Sequence, residues 1–214
     1  STISIAALVK AAAQQKMPAV AMTDHANLMG AFHFVRDILF HNKAAEAKNK
    51  AAIENGEEPT EVPMKPIVGC EFFVCEDHKN KSVKDNGYQI VLLAKTKKGY
   101  HNLAKMSSIA YTEGFYYVPR IDRKVIQQYK EDIIVLSGNL YGEIPNKILN
   151  IGENQAEEAL IWWKNEFKED FYIEVMRHNQ EDENRVNESL ISLARKHEVK
   201  IIATNNTFYI DKEN

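Results

Sequence analysis

Two short polar segments each close an apolar run in this sequence. The first, at positions 23–25, ends in Asp24 and His25, and the second, at positions 69–71, ends in Glu71. Imidazole and carboxylate groups are ligands that hold a catalytic metal ion, which acidifies the water bound to it. His25 and Glu71 are therefore candidate metal ligands, with Asp24 beside them. The alternatives are a hydrogen-bonding role for His25, a helix cap for Asp24 and a buried ion pair between Glu71 and Arg120.

The other predicted strands are followed or flanked mostly by amides. Amides are poor ligands for a catalytic transition metal, although they form good hydrogen bonds. His178 follows one strand, and for it a hydrogen-bonded histidine at the rim is the favoured alternative to a ligand. The residues concerned are Asn139, His178, Asn205 and Asn206.

The elements that must position these side chains alternate between helix and strand. This alternation predicts an α/β fold with a mainly parallel sheet or barrel, in which strand ends converge on one rim. The predicted strands are 19–23, 67–74, 88–94, 133–137, 171–175 and 201–204. The predicted helices are 3–15, 28–41, 99–112, 123–128, 155–167 and 182–197.

Residues 42–64 differ from the rest of the chain. Positions 43–54 are rich in Ala, Lys and Glu and favour a helix, and Gly56, Pro59 and Pro63 then interrupt it. The segment offers few apolar side chains for burial, so we predict a polar helical insertion without a core of its own.

Composition indicates a globular chain. The 214 residues are 44% hydrophobic and 27% charged, and no apolar run is long enough for a membrane span. The net charge of −3 provides no general attraction for a nucleic-acid backbone. Cys70 and Cys75 are expected to be free thiols in a reducing cytoplasm. Because the chain opens on Ser1 without Met, we expect it to be part of a longer protein.

Several segments together resemble one known family. They include Met17–Ala31, Lys65–Glu71, Glu113–Asp122, Gly142–Pro145 and Ala203–Asn205. In this order they are similar to the PHP (polymerase and histidinol phosphatase) domain at the front of bacterial C-family replicative DNA polymerases. The resemblance covers positions 1–214 except the insertion at about 42–64. It implies a distorted (β/α)7 PHP-type barrel, here expected to lack its first strand, which leaves an open edge beside residues 19–23.

The ligand pattern of the family transfers only in part. His25 and Glu71 match family ligand positions, with low metal occupancy expected. Gln89 and Asn139 stand where the family has ligands or rim residues, and Asn206 and Phe208 replace a carboxylate and an imidazole. Asp24, Arg120 and His178 remain as rim residues. The first family motif, His-x-His, would lie before Ser1.

The resemblance therefore implies a structural PHP domain with no catalytic residues of its own, in a parent polymerase that uses Mg²⁺ to extend DNA from deoxynucleotides. The expected partners are the rest of the polymerase chain and a proofreading exonuclease, with no membrane. We expect no cofactor in the domain, or at most residual Zn²⁺ or Mn²⁺. One alternative is an active metal-dependent 3′→5′ exonuclease or phosphoesterase. Another is a docking module for an exonuclease or for a partner of residues 42–64.

Overall fold

The computed structural model describes residues 3–210 and has a mixed α/β architecture. Its strands are β1 (Ala19–His25), β2 (Lys65–Cys75), β3 (Tyr88–Ala94), β4 (Arg120–Asp122), β5 (Ile133–Leu136), β6 (Phe171–Val175) and β7 (Lys200–Ala203). Its helices are α1 (Ile5–Gln14), α2 (Ala31–Glu54), α3 (Lys97–Thr112), α4 (Arg123–Tyr129), α5 (Glu143–Asn150), α6 (Glu153–Phe167) and α7 (Glu181–Lys196). No helix in this part of the chain has the length and apolar character needed to cross a membrane.

The strands form one sheet in the order β1-β2-β3-β5-β6-β7, and β4 pairs with β2. Within residues 3–210, β1 and β7 are the end strands of this order, as expected for a distorted barrel that lacks a strand. The sheet is more mixed than the sequence predicted. Pairings β5–β6, β6–β7 and β2–β4 are parallel, whereas β3 runs antiparallel to both β2 and β5.

The described chain divides into two compact units. The first unit comprises residues 3–22, 29–68 and 206–210, and the second comprises 23–28 and 69–205. The core of the second unit forms where the sheet meets α3 to α7. Its largest fully buried side chains include Trp163, Phe72 and Phe171. Burial of such aromatic residues is a main source of stability.

The first unit has a smaller core, formed where α1 packs on α2. Val9 and Ala12 of α1 meet Phe34 and Ile38 of α2, and Met64 joins them at 2% exposure. The spacing of Phe34 and Ile38 places both on one face of the helix. This unit therefore buries apolar side chains that precede the predicted insertion together with Met64 at the end of that insertion.

Residues 42–64 contain the helix that the sequence predicted for positions 43–54, joined without a break to the helix before it. Helix α2 does not end at His41 but continues to Glu54, and the following segment returns along it. Asn42 bonds to both the N–H and the carbonyl of Met64, each at 2.7 Å, and Asn49 bonds to both groups of Glu61. Two asparagines thus pair with the returning backbone as a neighbouring strand would.

Two elements were not predicted from the sequence. Strand β4 has only three residues, and its Pro119-Arg120 start favours a turn. Helix α5 contains Pro145 in its first turn, where proline is tolerated because the N–H would lack a helical partner anyway. Each element has a proline near its start, and proline usually marks the end of a helix or strand.

Candidate functional site

His25 and Glu71 come together in the second unit, as the sequence predicted. His25 is the last residue of β1, its ring lies edge-on to Phe73, and its Nε2 is 3.3 Å from Glu71 Oε1. The next residue, Ala26, is buried in a left-handed conformation at φ 53°. Its N–H donates to the Glu71 carbonyl, and its carbonyl accepts from the Ser107 hydroxyl. This anchored turn holds the imidazole beside the carboxylate.

A second buried carboxylate, Glu174 on β6, belongs to the same electrostatic environment. Burial raises the pKa of Glu174, and the charge of Glu71 raises it further, against hydrogen bonds from Thr204 and from the Gly138 backbone. Burial likewise raises the pKa of Glu71, against the influence of His25. Both acids therefore hold a proton more readily than exposed glutamates.

Each of these two acids keeps one oxygen without a hydrogen bond. Glu71 Oε1 lies at ion-pair distance from His25 but in no hydrogen-bond geometry, and Glu174 Oε2 also lacks a partner. Glu174 was not among the site residues predicted from the sequence. The signal was available, because a glutamate within the apolar strand Phe-Tyr-Ile-Glu-Val must be buried or must bind something.

Gln89 and Asn139 form an amide pair. Because β3 is antiparallel to β5, its first residues lie where β5 ends, and Asn139 Nδ2 is 3.4 Å from Gln89 Oε1. Gly138 makes this approach possible. Its φ is +84°, and a Cβ there would lie 2.3 Å from the Gln89 carbonyl oxygen. The amides therefore bond to each other at the rim.

His178 is held by protein groups on both ring nitrogens. Its Nδ1 is 2.6 Å from Glu183 Oε1, and its Nε2 is 2.7 Å from Asn205 Oδ1. The Glu183 and Asn205 contacts raise the pKa of His178. This arrangement is the hydrogen-bonded rim histidine considered from the sequence, and it leaves neither ring nitrogen of His178 open.

Two sequence hypotheses about neighbouring residues are wrong. Asp24 is exposed and does not cap α2, because that helix starts at Ala31 with Gly30 as its N-cap. Arg120 does not pair with Glu71. Its fully buried guanidinium donates four hydrogen bonds to backbone carbonyls, those of His78, Asn80, Asp85 and Gly114.

Asn206 and Phe208 fall in the first unit and are exposed. Cys70 and Cys75 are buried free thiols, as predicted. Burial raises the pKa of both, that of Cys75 to about 11, so neither thiol is a reactive thiolate near neutral pH.

His25 and Glu71 lie outside the close ligand group that the described residues contain. Within residues 3–210, one group of three His, Cys, Asp or Glu residues brings its ligand atoms within 4.8 Å of one another, and it contains neither His25, Glu71 nor Glu174. The rim has the His25 imidazole beside the Glu71 carboxylate, the His178 imidazole with both ring nitrogens bonded, and amides that already have partners.

The mixed α/β sheet is consistent with one family of distorted barrels. The PHP domain model matches residues 1–178. The chain belongs to the PHP domain family.

The relatives found by sequence comparison are much longer than this chain. This chain is 36% identical over 213 residues to DNA polymerase III subunit alpha of Borreliella burgdorferi, covering 98% of this chain and 17% of that protein. It is 35% identical to the subunit of Aquifex aeolicus over 99% of this chain, and 38% identical to that of Thermus aquaticus over 92%. It spans 17% and 15% of those two proteins.

Proposed function

We propose that this PHP domain serves as a structural module of a replicative DNA polymerase alpha chain and has given up metal-dependent phosphodiester hydrolysis. One observation carries the proposal. At the rim, His25 and Glu71 stand 3.3 Å apart, and in the described part of the chain they belong to no group of three close ligands. Hydrolysis of this kind needs a firmly held cation that acidifies water.

The surrounding amides support the same proposal. Gln89 and Asn139 bond to each other, and Asn205 bonds to His178. These hydrogen bonds hold the rim side chains to one another, so the same groups are not free to bind a metal ion. By this proposal the parent chain extends DNA with Mg²⁺ at residues outside this domain. The domain supports that core, and a docked proofreading exonuclease would supply 3′→5′ hydrolysis.

A nuclease assay tests the loss of hydrolysis. The purified chain is incubated with a 5′-labelled primer–template DNA and Mn²⁺ or Zn²⁺, beside Glu71→Ala and the exposed-site control Glu76→Ala. We expect the unmodified chain to shorten the primer no more than the Glu71→Ala variant does. Metal-dependent shortening that disappears in Glu71→Ala and persists in Glu76→Ala would show that the proposal is wrong.

A second candidate function is a metal-dependent phosphoesterase, and the unpartnered oxygens of Glu71 and Glu174 favour it. Two such oxygens, beside the His25 imidazole, could attract a cation. The metal content of the chain distinguishes the two functions. Equimolar metal that is lost in both Glu71→Gln and Glu174→Gln would favour the phosphoesterase, and unchanged metal content in these variants would favour the structural role.

A further inference from the structure

A separate cluster of ionisable side chains lies where the loop after β2 meets the end of β4. Asp77 and His78 belong to the loop, and Asp122 ends the strand. One ligand atom from each lies within 4.8 Å of the other two. His78 is 5% exposed and Asp122 is 2% exposed, whereas Asp77 faces solvent. The cluster is therefore partly enclosed and remains open to an ion from one side.

The two nitrogens of His78 have different surroundings. Nδ1 is 2.6 Å from Asp122 Oδ2, and Nε2 is buried without a hydrogen-bond partner. A carboxylate on Nδ1 fixes the tautomer that leaves a lone pair on Nε2, the arrangement that prepares a histidine for a metal ion. Glu113 Oε2 is the carboxylate oxygen near this nitrogen, at 3.9 Å.

The loop that carries these ligands is held rigidly. Arg120 donates to the carbonyls of His78 and Asn80, which fixes the backbone of the loop from beneath. The other oxygen of Asp122 accepts from the Val125 N–H and caps α4. A ligand set held in place by such contacts loses little conformational entropy when an ion binds.

The carboxylates around His78 outnumber the cationic side chains, so the cluster can accept a cation. Three carboxylates, those of Asp77, Glu113 and Asp122, lie in or beside the cluster. The opposing cations are the guanidinium of Arg120 and the ammonium of Lys79, which is 3.1 Å from Glu113. The Lys79 side chain is 67% exposed, so it can swing into solvent and release Glu113.

We propose that Asp77, His78 and Glu113 form a binding site for one divalent transition-metal ion, with His78 Nε2 as the imidazole ligand and with Asp122 holding Nδ1. An imidazole among carboxylates matches Zn²⁺ best among the common ions. The bound ion joins the β2–β3 loop to the end of α3. The site is independent of the rim that contains His25 and Glu71, and its role is structural.

Titration of the chelator-treated chain with Zn²⁺ and with Co²⁺ tests this site. The variants are Asp77→Asn, Glu113→Gln and His78→Asn. The controls are Glu76→Gln, which removes the neighbouring exposed carboxylate, and Glu71→Gln, which changes the rim. Calorimetry gives the stoichiometry and affinity, the Co²⁺ absorption band reports the ligand geometry, and circular dichroism checks that each variant is folded.

We expect one ion per chain and a Zn²⁺-dependent rise in Tm. Asp77→Asn and Glu113→Gln should each weaken binding by roughly 10-fold or more, while Glu76→Gln and Glu71→Gln bind as the unmodified chain does. If His78→Asn does not fold, the two carboxylate variants decide. The proposal is overturned if the unmodified chain binds no Zn²⁺, if Asp77→Asn and Glu113→Gln bind it unchanged, or if Glu71→Gln abolishes binding.

Discussion

Glu71 and Glu174 are two buried carboxyl groups of the rim, and burial favours their protonated forms. Each has one oxygen without a hydrogen-bond partner, and the charge of Glu71 adds to the raised pKa of Glu174. A buried carboxylate of this kind costs stability whenever it is ionised. The pH dependence of folding should report this cost of ionising the two buried carboxyl groups.

Glu174→Gln should change how stability varies with pH. Because the pKa of Glu174 in the folded chain lies above its ordinary value of 4.5, this group favours folding below pH 4.5, and that benefit is lost as the pH rises through the raised pKa. The variant should therefore gain stability relative to the unmodified chain as the pH rises from 4 toward neutrality. Urea unfolding followed by circular dichroism measures the difference.

The exposed Glu158→Gln serves as the control, and its stability should follow that of the unmodified chain at every pH. A Glu174→Gln effect of the same size across the whole pH range would mean that the variant acts through packing and not through ionisation.

Arg120→Lys should be strongly destabilising. The guanidinium is fully buried and donates to four carbonyls, a geometry that one ammonium group cannot reproduce. The loss of two or more charged hydrogen bonds should lower the unfolding free energy by about 3 kcal/mol. Chemical denaturation measures it, with the exposed Arg195→Lys as the matched control. Equal midpoints for the two variants would contradict this role of Arg120.

At the scale of elements, the direction of strand β3 places one of the rim residues, and the segment after α2 is held along that helix by side-chain hydrogen bonds. Strand β3 runs antiparallel to β2 and β5, which brings Gln89 to the end of β5 beside Asn139. The segment after α2 returns along that helix because Asn42 and Asn49 satisfy its backbone groups. In the returning segment, side-chain amides do what a regular ladder of backbone hydrogen bonds would otherwise do.

Asn42→Ala should loosen the returning segment. It removes two 2.7 Å hydrogen bonds and leaves the backbone of Met64 without them, at a cost of about 2 kcal/mol, or roughly 5 °C in Tm. Hydrogen exchange at residues 61–64 should accelerate as well. Asn154→Ala, an exposed asparagine in the first turn of α6, provides the control. Unchanged exchange at residues 61–64 would show that other contacts hold the segment.

At the scale of the whole molecule, the described chain has two cores, and α2 in the first unit presents apolar side chains to solvent. Phe32 is 69% exposed, Leu39 is 57% exposed and Phe40 is 65% exposed. The chain spans about a sixth of its polymerase relatives, so the remainder of such a chain is the partner that we propose for this surface.

The double variant Phe32→Ser with Phe40→Ser tests that partner. In a full-length polymerase alpha chain it should lower the Tm by several degrees, because apolar surface buried against the remainder would be lost. In the 214-residue chain the same variant should change the Tm little, since both side chains are exposed there. Differential scanning calorimetry of the two chains makes the comparison, and equal shifts in both would contradict the proposed contact.

The sequence by itself determined the alternation of helices and strands, the exact bounds of β3 and β6, the proximity of His25 to Glu71 and membership of the PHP family. These features follow from local periodicity and from short motifs. Tertiary structure alone decided the direction of β3, the hydrogen bonds of Arg120 to backbone carbonyls and the contact between His78 and Asp122, which are 44 positions apart. His25 and Glu71 both close apolar runs of predicted strands and so share a rim, whereas His78 lies in a loop whose path no local pattern encodes.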